Sequence, residues 1–69
     1  MQEIRIRDNF IKLGQLLKLI GAAGSGVEAK SFIIEGYVKV NGNTELQRGK
    51  KIYPGDEVVF KDDIYKVIN

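Results

Sequence analysis

The chain has no cysteine, no histidine and only one proline in 69 residues. Without cysteine it has neither a disulfide framework nor a thiolate metal site to strengthen so small a core. Without either residue the commonest general base, the soft metal ligands and the thiolate nucleophile are all missing, which argues against an enzyme. Ser25 and Ser31 have no evident base to activate them. The apolar runs are too short to span a bilayer, and Met1 to Arg5 lacks a charged region followed by an apolar core. The expectation is a cytoplasmic protein with no membrane partner.

Two further chemistries fall on inspection. The acidic pairs Asp56-Glu57 and Asp62-Asp63 flank turn signals, where aspartate serves local hydrogen bonding, so no metal site is expected. The run Gly21-Ala22-Ala23-Gly24-Ser25-Gly26 lacks the Gly-Lys-Ser/Thr ending of a nucleotide phosphate loop. No cofactor and no small-molecule substrate is therefore expected. The run does lead into a helix N-terminus, whose free N–H groups suit one backbone phosphate.

What is present is a globular composition, 43% hydrophobic, with no low-complexity run. At this length it is one domain, spanning 1–69, near the lower limit for folding on a hydrophobic core alone. The net charge of +2 is small but unevenly spread. Residues 37–55 carry Lys39, Arg48, Lys50 and Lys51 against Glu45 alone, whereas residues 56–69 are acidic on balance.

Along the chain, Gln2 to Arg7 alternates Ile4 and Ile6 with Glu3, Arg5 and Arg7, which reads as an edge strand. Leu13, Leu16, Leu17 and Ile20 then form one helical stripe, with Lys18 projecting away from it and Gly21 placed to end the helix. Ser25-Gly26-Val27-Glu28 fits a capping box that starts a second helix. That helix buries Ala29, Phe32 and Ile33 and turns Val27, Lys30 and Ile34 the other way, either under a second packing layer or toward a ligand. Gly36 stops it, and Tyr37 to Val40 forms a strand that turns at Asn41-Gly42 and returns over Thr44 to Gln47. Ile52-Tyr53 resumes extended structure before the turn Pro54-Gly55. Glu57 to Lys61 and Ile64 to Ile68 make a last hairpin around Asp62-Asp63. The fold class is α+β, two helices packed on a small, mostly antiparallel sheet, in the order β-α-α-β-β-β-β.

Leu13, Leu17, Gly21, Ser25, Ala29, Ile33, Gly36, Val38, Val40-Asn41-Gly42 and Gly55-Asp56 fall at the spacings of a known module. Over about Lys12 to Phe60 the chain resembles the RNA-binding domain of the ribosomal small-subunit protein four type, the alpha-L motif, and looks most like its small stand-alone bacterial members. Any one part of the pattern is weak, but the ordered set is fairly specific.

The resemblance implies binding of structured RNA, ribosomal RNA or a ribosome-assembly particle, by a monomer that presents a basic surface from its two helices and the following hairpin. Lys12 stands where the family commonly has Arg before its first helical Leu, and Lys30 at a commonly basic position after the Ala. Lys39 precedes Asn-Gly, and Arg48-Gly49-Lys50-Lys51 is similar to a basic loop of the stand-alone members. These six cations are the expected RNA-binding set. The chain departs from the family at Gly26, where Arg often follows the capping Ser, and at Gly14, where Asp often follows the first Leu. The competing expectation is a protein-interaction module using Val27, Ile34 and a sheet edge.

Overall fold

The computed structural model describes residues 1–69. Its elements are β1 (Gln2–Arg5), β2 (Ile11–Lys12), α1 (Leu13–Leu19), α2 (Gly26–Ile34), β3 (Val38–Val40), β4 (Asn43–Thr44), β5 (Lys51–Ile52), β6 (Glu57–Phe60) and β7 (Asp63–Ile68). Five strands form one sheet in the order β1-β7-β6-β3-β4, and β2 and β5 form a separate two-stranded ribbon. The expected order β-α-α-β-β-β-β is present with two short strands added, β2 before the first helix and β5 between β4 and β6.

β1 lies at the sheet edge, as its alternation suggests, and pairs in parallel with β7, while all other pairings are antiparallel. Ile6 prolongs that pairing by donating its N–H to the Ile68 carbonyl at 2.8 Å. Two tight hairpins do the remaining local work. Asn41 and Gly42, at φ 51° and 87°, connect β3 to β4 with the positive angles that a two-residue turn of this hand requires. The last hairpin turns one residue earlier than the sequence suggests: Phe60 faces Asp63, so Lys61-Asp62 is the loop and Lys61 takes φ 55°.

The two helices cover one face of the sheet. Leu13, Leu16 and Leu17 of α1 and Ala29 and Ile33 of α2 are buried against Val38, Val58, Tyr65 and Val67, and no polar side chain is buried with them. Fully burying each Leu, Ile or Val contributes about 1.5–3 kcal/mol, so these positions dominate the stability of a chain without crosslinks. The opposite side of α2 is uncovered. Val27 is 81% and Ile34 57% exposed, so no second layer packs there.

Both helices end on glycine, and Gly21 and Gly36 take φ 77° and 86°. At the start of α2 the Ser25 hydroxyl accepts from the Glu28 N–H at 3.1 Å. The reciprocal bond of the expected capping box shifts by one residue, because the Glu28 carboxylate takes the Gly24 N–H at 2.8 Å.

Candidate nucleic-acid interface

The first helix has no side-chain cap, since its N-cap residue is Lys12. Its first amides are satisfied from elsewhere in the chain: Leu13 donates to the Lys50 carbonyl and Gly14 to the Arg48 carbonyl, each at 2.9 Å. These bonds continue the β2–β5 ribbon into the first turn of α1 and fix the 48–50 loop against it. A pair of residues far apart in sequence is thereby brought together. Gly14 has no side chain at this crossing, and a Cβ there would lie 3.5 Å from both the Arg48 Cβ and the Arg48 carbonyl oxygen.

A cavity of about 280 Å³ opens at this junction, lined by Lys12, Lys18 and Arg48 together with Gln15 and the glycines 14, 26 and 49. It contains three cations, no carboxylate and no apolar side chain. Gly26, the first residue of α2, brings that helix's N-terminus to the rim, where amides not bonded within the helix add partial positive charge. Both glycines at which the chain departs from the resembled pattern thus lie on the cavity wall.

Of the expected set, Lys12 and Arg48 meet here, and Lys18 joins them from the next turn of α1. Lys18 was legible as a residue projecting from the apolar stripe, but nothing local to it marks its neighbours. Lys50 and Lys51 line a different cavity, of about 320 Å³, with Asn41, Asn43, Glu45 and Asp56, so two carboxylates offset them. Lys51 also sets its Nζ 4.9 Å from the centroid of the Phe10 ring. Lys30 and Lys39 are exposed and line neither cavity.

The motif residues Asn41 and Asp56 serve the scaffold. Asn41 donates its side-chain amide to Asp56 at 3.1 Å and accepts from the Glu57 N–H at 2.9 Å, while the Asp56 carboxylate takes the Tyr53 N–H at 2.7 Å. They lock the β3–β4 turn onto the turn before β6. The tyrosines pack by their rings and stay partly open: Tyr37 is 46% exposed beside Phe32, and Tyr53 48% exposed beside Phe10. No helix is long and apolar enough to cross a membrane.

A helical pair over a mixed sheet is an arrangement that known proteins share. The S4 domain family matches residues 4–68, and the chain belongs to that family. It is a family of binding domains, and the protein is not an enzyme. Among its relatives, RlbA of Bacillus subtilis, whose name assigns it to ribosome maturation, is 46% identical over 67 residues, covering 96% of this chain and 94% of that one. YbcJ of Escherichia coli, whose name assigns it to RNA binding, is 41% identical over 58 residues, 84% of this chain and 83% of its own. The solution structure of YbcJ, described as having an alpha-L motif involved in RNA binding, superposes with a TM-score of 0.74 at 36% identity, covering all of this chain and 89% of that one.

Proposed function

We propose that this protein is a single-domain RNA-binding protein of the cytoplasm that acts as a monomer on structured ribosomal RNA or on a ribosome-assembly particle. The observation that carries the reading is the junction cavity, where Lys12, Lys18 and Arg48 converge with no acid among them. Like charges lining one cavity repel, and a polyanion relieves that repulsion. Facing positions of the β2–β5 ribbon repeat the theme, since Lys12 and Lys51 are paired residues.

In this reading Lys12, Lys18 and Arg48 hold one or two phosphates at the junction. Lys30, Lys39, Lys50 and Lys51 contact flanking phosphates as the RNA passes over the helices and the hairpin. Phosphate contacts fix position without reading sequence, so recognition rests on the shape of the RNA. The names of RlbA and YbcJ support the partner class.

The test is sedimentation of a cell lysate at low salt, comparing wild type with the double variant Lys12→Ala, Arg48→Ala. Wild type is expected to travel with ribosomal subunits or assembly intermediates and to be released by added salt, and the variant to stay at the top of the gradient. Wild type remaining at the top would remove the ribosome from the reading. A second reading has its own observation, the uncovered apolar residues Val27 and Ile34 on α2, which suit a protein partner. Changing both to Ser should abolish co-sedimentation in that case and leave it intact in the first.

A further inference from the structure

Between the β1–β2 connection and α1 runs a groove of about 710 Å³, within the range of about 300–1,000 Å³ typical of small-ligand sites. One part of its lining is cationic, with Arg5, Arg7 and Lys18, and another is apolar, with Phe10, Ile11 and Leu19. Asp8 is the one acid among the lining residues, so the local balance stays positive. Gln15 and Lys18 line this groove and the basic junction cavity alike, which makes the two adjoining parts of one surface across α1.

We propose that this groove seats an unpaired nucleotide of the RNA held at the junction, an inference that rests on the RNA-binding reading. The two cavities differ in a way that selects the occupant. The junction offers only charge and small polar groups, which suits phosphates, the groups a duplex presents everywhere. The groove adds an apolar wall, for which a duplex has no counterpart, because its base faces are stacked inside the helix. An extruded base has an apolar face and a polar edge, and its flanking phosphates remain close to it.

The groove has a partner for each of these. Leu19 is 57% exposed at the apolar wall. Phe10, on the same lining, is held by Tyr53, with ring centroids 5.9 Å apart, and by Lys51 over its ring, so that part of the wall is preorganised before anything binds. The Gln15 side chain offers an amide donor and acceptor to a base edge. Arg7 and Lys18 flank the seat for the neighbouring phosphates. Arg5 is already engaged, donating to the Asn69 carbonyl at 2.8 Å, and so braces the wall from the β1 side.

The test uses two RNA probes, a fully paired hairpin and the same hairpin with one bulged nucleotide carrying a fluorescent base analogue. Wild type is expected to bind the bulged hairpin about tenfold tighter and to change the analogue's emission. Leu19→Ser and Arg7→Gln alter exposed side chains, so the fold is retained. Each should remove most of the preference while affinity for the paired hairpin changes by less than about twofold. Equal binding of both probes by wild type, or a preference that survives in both variants, overturns the nucleotide seat and leaves RNA binding standing. Failure of wild type to bind either probe overturns both.

Discussion

Asn41 sits at φ 51°, a conformation that costs most L-residues about 1–2 kcal/mol and that asparagine tolerates better. Its side chain also bonds Asp56 and the Glu57 N–H, so one residue both shapes a turn and ties it to the next. The first role was legible, because Asn-Gly between two extended runs has few other uses. The second was not, since the partner lies 15 residues away and Asp56 reads locally as a turn former. The two roles separate by mutation. Asn41→Ala should cost about 2–3 kcal/mol, the left-handed penalty plus two partly exposed hydrogen bonds, and Asn41→Gly about 1 kcal/mol, since glycine keeps the angle and loses only the bonds. Urea titration of both variants measures this, and equal losses would place the whole effect in the hydrogen bonds.

The helices were legible as elements because each carries an apolar stripe and a glycine stop; the β2–β5 ribbon was not. A strand of two residues has no periodicity to read, and its existence depends on Leu13 and Gly14 reaching the carbonyls of Lys50 and Arg48. The expected return strand from Thr44 to Gln47 is shorter for a related reason: after Glu45, whose N–H still bonds the Val38 carbonyl at 3.0 Å, the chain leaves the sheet to build the loop that reaches α1. At seven residues α1 is too short to persist alone, so its start depends on that loop and its body on Leu13, Leu16 and Leu17. Amide hydrogen exchange should register the difference between the two helix starts. The Leu13 and Gly14 amides are expected to exchange slowly despite lying in a first helical turn, while those of Gly26 and Val27 exchange fast. Rapid exchange at Leu13 and Gly14 would mean that the loop does not hold α1 in solution, and the basic junction would lose its support.

Across the whole molecule the net charge of +2 conceals how the charge is arranged. The sequence marked Lys12 and Arg48 as candidates but could not show that they line one cavity, or that Lys50 and Lys51 line another with two carboxylates although Lys51 faces Lys12 across the ribbon, because carbonyl caps between distant segments decide both. Arg5 and Arg7 read only as the polar face of an edge strand, and Lys18 only as the outside of a helix. Salt dependence of RNA binding turns this arrangement into a number, since each phosphate neutralised contributes about −0.7 to −0.9 to the slope of log affinity against log salt. The three junction cations alone predict a slope of roughly −2 to −3, and their sum with Lys30, Lys39, Lys50 and Lys51 one of roughly −5 to −6. Lys12→Ala with Arg48→Ala should flatten the slope by about 1.5–2 in either case. Lys50→Ala with Lys51→Ala decides between them: a change near zero confines the RNA to the junction and its adjoining groove, whereas a change of about 1.5 extends its track over the hairpin. The proposed track over the hairpin makes the larger change the expected one, and a change near zero would place Lys50 and Lys51, offset by Glu45 and Asp56, outside the path of the RNA.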